Sequence, residues 1–153
     1  MTVLDKLKTL GIELPAAAGA FGLYVPARRC GGLIYVSGQL PMKDGRLLAS
    51  GPVPSRCSLE QAQAAARQCV INALGAVAAI EGTVDRIAGV VRVGAFIASD
   101  ATFTEQPKVA NAASELLLQI FGDAGRHARA AVGTNVLPLD ASVEIEFIFA
   151  AAT

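Results

Sequence analysis

The chain has no tryptophan, a single histidine and only 17% charged residues in 153. Each shortage removes a class of function. One histidine with three scattered cysteines (Cys30, Cys57, Cys69), none in C-x-x-C spacing, cannot furnish an ordinary zinc site. An odd cysteine count without a spacing pattern also argues against a disulfide framework and for a reduced, cytoplasmic setting. Thirteen basic residues balance thirteen acidic ones, so no net positive charge is available to draw nucleic acid. The longest apolar run falls far short of a membrane span, and MTVLDKLKTLGIELP contains no signal-type apolar core. What remains is a chain that is 53% hydrophobic but only 5% aromatic. Its core must be built from small residues, and its charge-poor surface predicts burial by self-association. No metal, cofactor, nucleic-acid or membrane partner is expected. The length suits a single domain, residues 1–153.

Local signals divide the chain into elements. Thr2 to Leu10 reads as a short helix with Leu4, Leu7 and Leu10 at a spacing of three and Gly11 as its stop. With the small-residue linker that follows, it forms an N-terminal extension over residues 1–20. Arg28 to Cys30, a Gly31-Gly32 turn and Leu33 to Ser37 predict a β-hairpin, and Lys43-Asp44-Gly45 a second tight turn. Gly51 to Arg56, with two prolines, reads as a loop. Ser58 and Gln61 form a capping box for a helix that runs to Ile80 and stops at Gly82. Its apolar stripe comprises Ala62, Ala66, Cys69, Val70, Ala73, Val77 and Ile80. Val90 to Ala98 predicts a buried strand. Pro107, Val109, Ala113, Leu116, Leu117 and Ile120 mark a second long helix ending at Gly122. The expected class is α+β, a mixed sheet packed by two long helices.

The last third, HARAAVGTNVLPLDASVEIEFIFA, carries the chemistry. It predicts two strands joined by a Leu-Pro-Leu-Asp-Ala turn as a C-terminal hairpin. Val143, Ile145, Phe147 and Phe149 take one face of the second strand; Glu144 and Glu146 take the other. Arg129 stands among alanines and glycine, which leave room around its guanidinium. That planar fork matches a carboxylate bidentately. His127 lies two residues earlier on the same strand face.

This stretch, together with YVSGQLP at Tyr35 to Pro41, resembles the YjgF or Rid family, the reactive-intermediate imine deaminases also called endoribonuclease L-PSP. The family ending runs approximately P-A-R-x-x-V-x-x-x-x-L-P-x-x-x-x-V-E-I-E, and the likeness covers Phe21 to Ala150. The resemblance implies a chorismate-mutase-like fold and a homotrimer that encloses a central barrel, with sites in the clefts between subunits. It implies that Arg129 holds a substrate carboxylate and that Glu144, first glutamate of V-E-I-E, orients or activates water. Tyr24, Ser37, Gly38, Asn111 and Ala131 match further substrate-binding positions. Ala131 is also the clearest departure, because many family members have cysteine there. The N-terminal segment and the Gly-Arg-His before Ala128 set the chain apart as a divergent subgroup.

If the two C-terminal strands turn near Leu139, Arg129 and Glu144 lie about five residues apart, roughly 17 Å at strand rise. One small molecule then reaches both only if they come from different subunits. The activity implied is hydrolytic deamination of small enamines and imines, such as 2-aminoacrylate and 2-iminopropionate, to 2-keto acids and ammonia. A non-catalytic trimer that binds 2-keto acids through Arg129 is the alternative. Ribonuclease activity or translation inhibition ranks third, since it asks for paired acid and base groups and basic residues for phosphate, against one histidine, zero net charge and no interleaved basic-aromatic patch.

Overall fold

The computed structural model describes residues 1–16 and 22–153. Part of the small-residue linker, residues 17–21, lies outside them. Two helices begin where local hydrogen-bonding groups dictate. Helix α1, Val3–Thr9, starts at Thr2, whose hydroxyl accepts from the Asp5 backbone while the Asp5 carboxylate accepts from Thr2. Only Leu7 of its three expected leucines is buried, and Leu4 and Leu10 face solvent. Steps of three fall about 60° short of a turn, so they spread round a short helix instead of stacking. Helix α2, Leu59–Glu81, starts with the Ser58–Gln61 capping box and ends at Gly82, whose φ of 82° is the left-handed cap geometry that favours glycine. Its buried stripe stops at Val77; Ile80, expected on that stripe, is 45% exposed.

The strands are β1 Ala27–Cys30, β2 Leu33–Gln39, the short pair β3 Met42–Lys43 and β4 Arg46–Leu47, β5 Ile87–Ala98, β6 Ala128–Thr134 and β7 Val143–Ala151. Helix α3, Gln106–Phe121, joins β5 to β6. Strands β1 and β2 form the expected hairpin, and Asp44 and Gly45 both take positive φ in the turn between β3 and β4. The main sheet runs β1-β2-β7-β5-β6. It is mixed: β5 and β6 are parallel, and every other neighbouring pair is antiparallel.

This order corrects the expected C-terminal hairpin. Strands β6 and β7 do not pair, because β5 lies between them. The reason is in their side chains. Strand β7 buries Val143, Ile145, Phe147 and Phe149 completely or nearly so and half-buries Ile148, which suits a central strand. Strand β6, ARAAVGT, has little to bury and takes the edge. The path through α3 places it parallel to β5, as a crossover connection allows.

Both long helices cover one face of the sheet, α2 over β2 and β7, α3 over β5 and β6. Between them, Phe147 stacks on Phe149 with ring centroids 5.6 Å apart, and Phe121 meets Phe149 at 6.4 Å. Around these rings α2 presents alanines, so helix and sheet approach closely with few aromatic side chains. Cys57 and Cys69 are buried free thiols, and Cys30 is exposed. The opposite sheet face carries no covering element among the described residues, and Tyr35 and Val132 there are each 46% exposed.

Candidate functional site

Sequence-predicted residues fall into two groups on opposite faces of one sheet. The first is at the β6 edge. Arg129 pairs in register with the buried Val93 of β5, so its side chain emerges on the helix-covered face. There, Nη1 donates to Asn111 Oδ1 at 2.9 Å and to Ser114 Oγ at 3.1 Å, both on α3. Asn111 and Ser114 are three residues apart and thus face the same way. This gives the helix-interior asparagine its local reason. Arginine has five N–H donors, and two are spent here. Those on Nε and Nη2 have no protein partner among the described residues, and no carboxylate neutralises the guanidinium. Nε and Nη2 are the pair that grips a carboxylate side-on. Ala131, two residues on, shares this face and packs on the core.

His127 is half-buried just before β6. Its Nδ1 lies 2.6 Å from the Gly125 carbonyl and its Nε2 2.9 Å from Ser114 Oγ. Both ring nitrogens are engaged. Ser114 is the residue that sequence reasoning passed over: a serine on an amphipathic helix looks like any solvent-facing polar position. Asn111 also lines a groove of about 410 Å³ between α2 and α3, together with Arg67 and Lys108.

The second group is on the uncovered face, around β2 and β7. Glu144 is half-buried and leans on Gly38: a Cβ there would stand 3.0 Å from the Glu144 Cδ. A side chain at 38 would press the carboxylate aside by a few tenths of an ångström. Burial, and secondarily the Glu146 carboxylate nearby, hold the Glu144 carboxyl above the usual glutamate range. Among the described residues, no cation or hydrogen-bond donor satisfies it. Glu146 differs. It pairs with Arg92 Nη1 at 3.2 Å, the pair lying over Gly94, where a Cβ would collide with both side chains. Ser37 donates to the Val25 carbonyl at 2.7 Å and so pins the segment that carries Tyr24. Tyr24, Ser37 and Glu146 line a groove of about 830 Å³.

Register sets how far apart the two groups lie. Arg129 is level with Val93 and Phe147, while Glu144 is level with Phe96. The two are three residues apart along the sheet and two strands apart across it, roughly 10 Å in each direction. Their side chains also leave by opposite faces. The in-plane separation of about 14 Å replaces the roughly 17 Å of the expected hairpin, and the sheet itself now stands between the two side chains. Among the described residues, no cluster of three or more His, Cys, Asp or Glu could hold a metal ion. No described helix is long and apolar enough to cross a membrane.

Comparison with known proteins places this arrangement. Residues 5–152 match the family model described as "YjgF/chorismate_mutase-like, putative endoribonuclease". The chain belongs to the YjgF family. The match begins within α1 and so takes in most of that helix. Protein TCP17 of Trypanosoma cruzi is 42% identical over 145 residues, which cover 94% of this chain and 91% of that protein. The crystal structure of Atu1372 from Agrobacterium tumefaciens is 42% identical, with a TM-score of 0.89 over 98% of this chain and 92% of its own. A crystal structure from Shewanella oneidensis, whose name carries the same endoribonuclease description, is 32% identical. It superposes with a TM-score of 0.92 over 98% of this chain and 99% of its own. The mixed five-stranded sheet with both long helices on one face is thus the YjgF-like fold.

Proposed function

We propose that this YjgF-family protein hydrolyses small carboxylate-bearing imines and enamines to 2-keto acids and ammonia, without a cofactor. We further propose that its sites assemble between subunits of a homotrimer. Arg129, Asn111 and Ala131 come from the β6 edge of one copy; Tyr24, Ser37, Gly38 and Glu144 come from the open sheet face of the next. The observation that carries this reading is the pairing of two unspent charges. Arg129 has a carboxylate-shaped donor pair with no partner, and Glu144 is a carboxylate with no cation, yet the sheet keeps them apart within one chain. The open face, with Tyr35 and Val132 exposed, supplies apolar surface for the association.

The chemistry asked of these groups is modest. Arg129 Nε and Nη2 bind the substrate carboxylate and fix the C=N carbon beside Glu144. The Glu144 carboxylate takes a proton from water as the oxygen attacks that carbon and passes it to the imine nitrogen, giving a carbinolamine. Glu144 then takes the carbinolamine hydroxyl proton as that oxygen becomes the keto group, and passes it to the nitrogen as the C–N bond breaks and ammonia leaves. An enamine enters the same path after protonation at its terminal carbon gives the imine. A glutamate held above its usual range is a stronger base than an ordinary glutamate, which suits taking the proton from water.

Ala131, in place of the cysteine common in the family, favours a second reading: a trimer that binds 2-keto acids through Arg129 and does no chemistry. Ribonucleolysis, the activity in the family description, finds less support. The one histidine has both ring nitrogens engaged, and no basic tract accompanies it.

The test generates 2-iminopropionate with an amino-acid oxidase in the presence of semicarbazide and follows semicarbazone formation. The proposed activity predicts suppression by wild type and none by Arg129→Ala or Glu144→Gln. No suppression by wild type, with pyruvate still raising its melting temperature but not that of Arg129→Ala, would replace catalysis with the binding reading.

A further inference from the structure

We propose that Ser114 and His127 are positioning residues for Arg129, forming a relay that turns the guanidinium so that Nε and Nη2 face the ligand carboxylate. This deepens the functional reading above and rests on Arg129 being the carboxylate anchor.

The direction of each hydrogen bond follows from what the groups can do. A carbonyl oxygen only accepts, so the contact of His127 Nδ1 with Gly125 at 2.6 Å requires a hydrogen on Nδ1. In the neutral imidazole, Nε2 is then a lone pair, and the Ser114 hydroxyl 2.9 Å away donates to it. With its hydrogen committed, Ser114 Oγ turns its own lone pairs outward, and Arg129 Nη1 donates to one of them at 3.1 Å. Asn111 Oδ1 takes the second Nη1 hydrogen at 2.9 Å. Nη1 is therefore held by two neutral acceptors, so the fork is oriented without its charge being cancelled.

The far end of the relay is rigid. A Cβ on Gly125 would stand 2.6 Å from the Leu117 carbonyl oxygen, so only glycine lets this segment settle against α3. Gly125 is buried there, and its carbonyl is fixed by packing on the helix that also carries Ser114 and Asn111. Without His127, the Ser114 hydroxyl can rotate and offer its hydrogen toward Arg129, a donor facing a donor. On an exposed edge strand flanked by alanines and glycine, the one other restraint on the guanidinium among the described residues is Asn111 Oδ1, which holds the second Nη1 hydrogen.

Four variants test the relay by two readouts: Ser114→Ala, His127→Leu, their double mutant and His127→Gln, whose amide oxygen can replace Nε2 as acceptor. In the semicarbazide competition, Ser114→Ala and His127→Leu should each raise KM about tenfold with kcat little changed, the scale of one hydrogen bond to a charged group. The double mutant should be no worse than Ser114→Ala alone, since His127 acts only through the hydroxyl. His127→Gln should recover most of the loss. The second readout is independent of activity: the 15N–1H signals of the Arg129 guanidinium, resolved and slowly rotating in wild type, should average in both single variants and return in His127→Gln. Multiplying KM effects in the double mutant, or guanidinium signals unchanged by His127→Leu, would overturn the proposal. If wild type neither turns over imine nor binds pyruvate, the functional reading fails, and the guanidinium signals still decide the relay.

Discussion

The β6 edge and the open face of β7 meet the same physical problem, a charge in a protein with few charges, and solve it oppositely. At the edge, Arg129 is oriented by neutral acceptors on α3 and left electrically whole. On the face, Glu146 is neutralised by Arg92, while Glu144, two residues away, is half-buried against Gly38 with no partner among the described residues. An ordinary surface ion pair such as Arg92–Glu146 contributes little and asks for no function. Unspent charges held in place are different: they stay available to a ligand. The comparison teaches that each half holds a charge with no partner of opposite sign among the described residues of its own chain, which is what the proposed shared site requires.

Breaking either half should cost most. Arg129→Ala and Glu144→Gln should each lower kcat/KM for imine hydrolysis by about 10²–10³, as expected when an orienting or proton-transferring group is lost. Far-ultraviolet circular dichroism should show both folded. Next comes the support of the carboxylate. Gly38→Ala should lower kcat by about tenfold, because the added methyl pushes the Glu144 carboxylate from its place by a few tenths of an ångström. Phe149→Ala should leave the charges in place but destabilise the fold by about 3–5 kcal/mol in urea denaturation, since it empties the aromatic centre under both halves.

Titration sharpens the contrast between the two glutamates. Because the folded-state pKa of Glu144 is raised, the folded protein holds that proton more tightly than the unfolded chain does. Its contribution to stability therefore falls as pH rises from the ordinary glutamate range through the raised value. Glu144→Gln removes this loss: its melting temperature should exceed that of wild type at pH 7, and the gap should close toward pH 4. The acid limb of the wild-type activity profile should likewise stand above the usual glutamate range. The smallest effect belongs to Glu146→Gln, which breaks an exposed pair. Thermal denaturation should move by no more than about 1 kcal/mol, with turnover retained.

Much of this was legible along the chain, and the reason lies in range. The Ser58–Gln61 capping box, the Gly82 stop and the Lys43-Asp44-Gly45 turn depend on groups three residues apart or fewer, and the structure has them where the sequence puts them. Strand adjacency is a long-range choice. The alternation in β6 and β7 suggested two strands, and the proline turn suggested a hairpin. Only the half-buried Ile148 on β7's second face and the meagre burial in β6 hinted that one strand is central and the other an edge. For the same reason the types of Arg129 and Glu144 could be read, but not that the sheet separates them. Ser114 was silent because its partners arrive from β6 and the segment before it, thirteen and more residues away.

One measurement bears on the central claim directly. Arg129→Ala and Glu144→Gln, each inactive alone, are mixed in equal amounts, unfolded and refolded together so that subunits exchange, and assayed for imine hydrolysis. If each site takes its arginine from one copy and its glutamate from the next, random assembly gives about a quarter of the sites both groups, and about a quarter of wild-type activity returns. If arginine and glutamate of a site come from one chain, no mixture can restore a whole site. Active wild type and a refolded mixture as dead as its components would contradict the account.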